Sequence, residues 1–214
     1  MKKIFSILMA LCLMVPAMYA DHPQSSINKQ LLKAQQKEAK AKMKEYKKGG
    51  YEMMGSRSME VALMKHYTRL EELGNDGIVF DGIASRTKSK SLGEQMALND
   101  ATLKYAQKAG STVKGRVLAD MRTEGVTGDD EFEKFYAAYE RLVEQKVKDA
   151  LVPSYSVVKT NSDGTFEIQS FFIVDESIAK KMRQAALENA LKDSELMGKY
   201  ADQVRGYVNA RVEE

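Results

Sequence analysis

The chain has 214 residues; its 33 basic and 30 acidic side chains leave a net charge of +3, and it carries one cysteine, two histidines and no tryptophan. A single cysteine excludes an internal disulfide framework and a thiolate metal site. Two histidines as far apart as His22 and His66 offer no zinc ligand set, and the lack of tryptophan disfavours a ligand platform built on stacking.

The opening twenty residues carry the clearest signal. Lys2 and Lys3 precede an apolar run over 4–15, and Pro16-Ala17-Met18-Tyr19-Ala20 closes it with small residues. This predicts a signal peptide over 1–20, since the run is too short to cross a bilayer core of about 30 Å. Cleavage is expected after Ala20, with Ala17 as the competing position. Cys12 lies too early in the run, and behind Leu11, to bear a lipid. Removing Lys2 and Lys3 leaves 31 basic against 30 acidic residues in the mature chain. That chain has no thiol nucleophile and no expected transmembrane span. It is long enough to bury one good-sized core.

Ser25 and Ser26 are expected to cap a helix that stops at Gly49-Gly50. This basic peripheral helix, within 21–50, holds eight lysines (Lys29, Lys33, Lys37, Lys40, Lys42, Lys44, Lys47, Lys48) against Asp21, Glu38 and Glu45. Its apolar stripe of Ile27, Leu31, Leu32, Ala34, Ala39, Ala41 and Met43 is thin. It lacks the arginine and aromatic partners of a nucleic-acid surface. It reads either as a solvated face or as an arm for acidic envelope polymers or anionic lipid. A single α+β domain is expected over 51–214.

Within it, 51–55 reads as a short strand. Ser58 caps a helix over 59–73 with Met59, Leu63, His66, Leu70 and Leu73 on one face. Gly74-Asn75-Asp76-Gly77 breaks it. A strand follows over 78–85, then a polar loop at 86–90. Ser91 and Glu94 form a capping box for a long helix to about Met121. Its seam is Ala97, Ala101, Tyr105, Ala109 and Val113, with Gly110 and Gly115 as weak points. A break at 125–130 precedes a strongly periodic helix through Phe132, Phe135, Tyr136, Tyr139, Val143 and Val147, capped by Asp130 with Glu133 and ended by Pro153. Strands at 155–160 and 165–174 form a hairpin around Asn161-Ser162-Asp163-Gly164. Helices from Ser177 to about Leu191 and through Leu196, Tyr200, Val204 and Tyr207 complete the chain; the latter set faces the core or, alternatively, a second copy. The fold class is therefore α+β: a small, mainly antiparallel sheet packed by several helices.

Few residues suggest chemistry. Gly82 to Ser89 has phosphate-loop spacing, but Thr87 stands where the second glycine belongs, and a β-branched residue resists that backbone. A weaker anion site is expected from Arg86, Lys88, Lys90 and Ser91 at a helix start. His66 reads as a partly buried residue beside Tyr67. No acidic pair, nucleophile elbow or cofactor motif is found, so neither a catalytic residue nor a cofactor is expected.

The strand ending Gly82-Ile83-Ala84, the alanines of the long helix in four-residue register, and the hairpin ending Phe171-Phe172-Ile173-Val174 together resemble the LPP-twenty type of bacterial envelope lipoprotein. Its fold also occurs at the N-terminus of a flagellar assembly protein. The order is similar, too, to exported proteins of Bacteroides-like bacteria. The resemblance covers about residues 77–190. It implies an α+β fold and an envelope location, supplies no catalytic residues, and lacks here the lipid-bearing cysteine. The expectation is a non-catalytic periplasmic or outer-envelope protein that binds a protein or polymer partner; the alternative is an anion-binding module at 86–91.

Overall fold

The computed structural model describes residues 23–124, 130–192, 194, 201–209 and 212. The expected leader with both cleavage positions, His22, the break at 125–129, Leu196 and Tyr200 lie outside the described residues, as do the capping side chains of Ser25, Ser26 and Asp130.

Helix α1 spans Pro23–Lys48. It starts ahead of the serines expected to cap it, because proline suits a first turn whose N–H groups have no helical partner. It stops at the two glycines, where the Gly49 and Gly50 amides donate to the carbonyls of Glu45 and Lys47 at 2.9 and 3.2 Å. Strand β1 is short, Glu52–Met53. Helix α2, Met59–Leu73, begins where Ser58 Oγ accepts from the Val61 amide, and buries Ala62, Leu63 and His66.

Strand β2 runs over Gly77–Thr87. Ile78, Phe80, Gly82 and Ala84 alternate into the core, as side chains on one side of a pleat must. A bulge between Ala84 and Thr87, with Arg86 at φ 56°, turns Thr87 inward and leaves Arg86 outside. Helix α3, Lys90–Glu124, is continuous through Gly110 and Gly115. Its cap is Ser89, whose Oγ accepts from the Leu92 amide at 3.5 Å; Ser91 lies inside the helix, so the cap falls two residues earlier than expected and, with Leu92 at its third position, is not a capping box. The seam Ala97, Ala101, Tyr105, Ala109 and Val113 is buried throughout. Small residues there let the helix touch the strand backbone: a Cβ on Gly82 would lie 1.7 Å from the Ala97 carbonyl oxygen.

Helix α4, Asp130–Val147, buries its aromatic stripe. A 3-10 turn, Lys148–Ala150, leads into β3, Leu151–Thr160. Pro153 therefore sits in a strand rather than ending the helix. The strand tolerates it because β1 pairs only with Val157 and Val158, so the outer side of β3 around Pro153 faces no strand, and a bulge lies between Pro153 and Tyr155. The hairpin turns at Gly164, φ 79°, into β4, Phe166–Asp175. Helix α5, Glu176–Lys192, is capped by Asp175, which accepts from the Ser177 amide at 3.0 Å. Helix α6 is Ala201–Val208.

All pairings are antiparallel, in the order β1-β3-β4-β2, and the α+β class is as expected. One face of the sheet, with Ile78, Phe80, Phe172 and Val174, packs against α3, α4, α5 and α6. The other, with Tyr155, Val157 and Phe171, packs against α1 and α2 through Tyr46, Leu63 and several methionines.

Candidate functional site

The loop expected to hold an anion lies between β2 and α3. Arg86, Lys88, Lys90 and Ser91 are all exposed. The Lys90 ammonium rests 5.2 Å over the Phe166 ring, and Arg86 helps to hold the Asp163 carboxyl below its ordinary range, behind hydrogen bonds from Thr165. Two of the four side chains are thus engaged with the hairpin tip.

Helix α1 presents a more ordered arrangement. At 3.6 residues per turn, successive residues advance by about 100°. Lys29, Lys33, Lys37, Lys40, Lys44, Lys47 and Lys48 then fall within one arc of about 100°, along roughly 29 Å of helix. All seven are exposed. None has an ion-pair partner among the described residues. The packed side of α1 is nearly opposite: Ala39 and Tyr46 are buried, with Leu31, Gln35 and Met43 half-buried. Tyr46 fixes that side, its hydroxyl 3.0 Å from that of Tyr155 and its ring edge-on to Phe171. Lys42, the eighth lysine, lies near the packed side and is spent on Glu45 at 3.0 Å and on the Tyr46 ring at 5.2 Å. Glu38 and Glu45 flank the lysine arc without entering it. Seven like charges on one line of a cylinder repel one another, and a linear array of negative charge relieves that repulsion.

A second polar group was not legible beforehand. His66 Nδ1 lies 2.8 Å from Ser154 Oγ, at the bulge of β3, and Ser154 lines a cleft of about 350 Å³ with Arg57, Glu94 and Ser156. A hydroxyl against an imidazole is the start of a nucleophile-and-base arrangement. Burial between Tyr67 and Tyr155 lowers the imidazole to about 4, which makes it a poor base at neutral pH. No hydrogen-bonded carboxylate orients the ring among the described residues. The pair works as a tether between α2 and β3.

The helical side holds a third. Arg183 is 1 % exposed and grips Glu176 with both terminal nitrogens, at 3.0 and 2.5 Å, while also donating to the Tyr105 hydroxyl. The Val212 amide donates to the same carboxylate at 3.3 Å. The pair lies within α5, and its hydrogen bonds with the Tyr105 hydroxyl fix α5 against α3. Arg183 lies on the same helical stripe as Ala179, Ala186, Leu187 and Ala190, all buried; a charge on an apolar stripe was the available signal. Val204, expected in the core or at a seam between copies, is fully buried in this chain's own core with Val208, and Tyr207 packs beside them.

Among the described residues no group of histidine, cysteine, aspartate and glutamate could hold a metal ion, and no helix is long and apolar enough to cross a membrane. No family model matches the chain, and no curated protein or solved structure is significantly similar to it.

Proposed function

We propose that the protein is exported to the bacterial envelope and acts there without catalysis, binding an acidic polymer along the lysine face of α1. The observation that carries this reading is the segregation of charge: seven exposed lysines on one arc, with the acidic residues of the helix outside it. Lysine supplies flexible point charges rather than the planar fork of arginine. Such a face suits a ligand recognised by charge density and length rather than by sequence. The leader over 1–20 supports the location. Among the described residues, the one hydroxyl set against an imidazole, Ser154 on His66, faces a poor base, which favours binding over hydrolysis.

The test replaces Lys33, Lys37, Lys40 and Lys44 by glutamine and measures binding to inorganic polyphosphate and to poly-glutamate by fluorescence anisotropy. The native chain is expected to bind both, with affinity falling steeply between low salt and about 0.15 M, as unburied charges require. The variant is expected to lose most of that binding while unfolding at the same urea concentration. Equal binding by the variant, or binding indifferent to salt, overturns the reading. Fractionation of the native host that found only unprocessed chain in the cytosol would overturn the location.

A further inference from the structure

The β2 edge of the sheet is closed to an added strand around Asp81 and Ile83, and the way it is closed creates a cleft. Along β2 the outward carbonyl of Asp81 accepts from Lys104 Nζ at 3.1 Å, and the outward amide of Ile83 donates to Asp100 Oδ2 at 2.9 Å. Side chains of α3 have taken the backbone groups that a peptide would need. They reach round the edge to do so, and between them and the sheet lies an open cleft of about 680 Å³, within the size range of small-molecule sites.

Its floor is apolar and held in place. Val79 and Phe171 line it, on the face of the sheet where α1 and α2 leave β2 partly bare; on that face Asp81 follows Val79, and Ile83 beyond it is 41 % exposed. Phe171 cannot swing away, because its ring stacks on Tyr155 at 4.5 Å and 15° and meets Tyr46 edge-on at 6.3 Å. The wall is a row of polar side chains one and two turns along α3. Lys104 is fully engaged, 3.3 Å from Asp81 and 2.9 Å from Asp100, and the three together carry one net negative charge. Lys108, one turn on, also lines the cleft and has no carboxylate partner among the described residues. Gln107 and Ser111 flank it.

We infer that this cleft binds a small amphiphile carrying one anionic head, with the head on Lys108 and the apolar body over Val79 and Phe171. One unpaired cation above a fixed apolar floor is complementary to one anion on an apolar tail. A dianion would find its second cation already taken by Asp81 and Asp100. None of the lining residues belongs to α1, so this inference stands apart from the lysine face.

The experiment uses the full mature chain and titrates it with decanoate, decanol and decyltrimethylammonium, each below its micelle-forming concentration, followed by calorimetry and by amide chemical shifts. Decanoate is expected to bind best and decyltrimethylammonium least, with shifts at Val79, Phe171 and Lys108. Lys108→Gln is expected to weaken decanoate roughly tenfold and leave decanol unchanged, the loss of one charge-assisted contact. Val79→Glu is expected to weaken decanoate most and decanol as well, with circular dichroism confirming that both variants fold. The variant with four glutamines on α1 is expected to keep decanoate binding. Absence of decanoate binding, equal binding of decanoate by Lys108→Gln, or loss of binding only in the α1 variant overturns the inference.

Discussion

The two faces of the sheet are built on different principles. On the α3 side the contact is made by small residues and is nearly dry: Gly82 against the Ala97 backbone, then Ala101, Ala109 and the aromatic stripe of α4. Its buried ion pair, Arg183 with Glu176, is sealed in and doubly bonded. On the α1–α2 side the contact is made by tyrosines that keep their hydroxyls occupied. Tyr46 meets Tyr155, and Tyr51 takes a hydrogen bond from Gln169 at 2.8 Å while donating to Glu167. Burial and the charge of Glu167 raise Tyr51 to about 12, so these hydroxyls stay protonated. The first face supplies rigidity; the second is thinner, leaves part of the sheet bare, and carries both the exposed lysines and the cleft.

That contrast can be broken in order of severity. Gly82→Ala strikes the dry face at its closest approach. A methyl 1.7 Å from a backbone carbonyl cannot be absorbed by a rotamer change. The expected loss exceeds the about 1–3 kcal/mol of ordinary overpacking, read from urea denaturation of whatever folded protein is recovered. Arg183→Met leaves Glu176 buried without its partner and is expected to cost about 3–5 kcal/mol. Adding Glu176→Leu is expected to recover most of it, less the bond that Glu176 accepts from Val212; a double variant as unstable as the single one would show that the pair orders the helical side in ways its charge balance does not explain.

The smallest effect belongs to the other face and depends on pH. His66 has a folded value of about 4 against an ordinary 6.5. Between those values the unfolded chain binds the proton and the folded one does not, so stability is complete above about 6.5 and falls as pH drops toward 4, by about 3 kcal/mol in all. His66→Asn is expected to flatten that limb, measured as urea midpoints at pH about 4 and about 7.5. An unchanged limb would mean that carboxylates, not this imidazole, govern acid unfolding.

Much of the fold was legible because period and punctuation agreed. The four strands overlap their expected positions, although β3 begins four residues early, at Leu151 rather than Tyr155, and the seam of α3 and the stripe of α4 follow from spacing alone. Misplaced ends have local causes. Ser89 rather than Ser91 caps α3 because the bulge at Arg86 extends the strand to Thr87. Pro153 looked like a helix stop because whether a strand flanks it is decided by β1, a hundred residues away. Arg183 was passed over because its partner Glu176 lies seven residues back, beyond helical pair spacing, and Tyr105 arrives from another helix. The lysines of α1 were visible as a charge excess. That they share one arc is a matter of helical period; that the reverse side is packed depends on Tyr155 and Phe171, which no local pattern connects to Tyr46.

The hydrogen bond from the Val212 amide to Glu176 orders events in time. Of the groups that meet at that carboxylate, residue 212 is the last to leave the ribosome. A nascent chain can form the hairpin and the seam of α3 while its buried arginine still lacks a complete cage. The cage around that carboxylate is therefore complete only once residue 212 is in place.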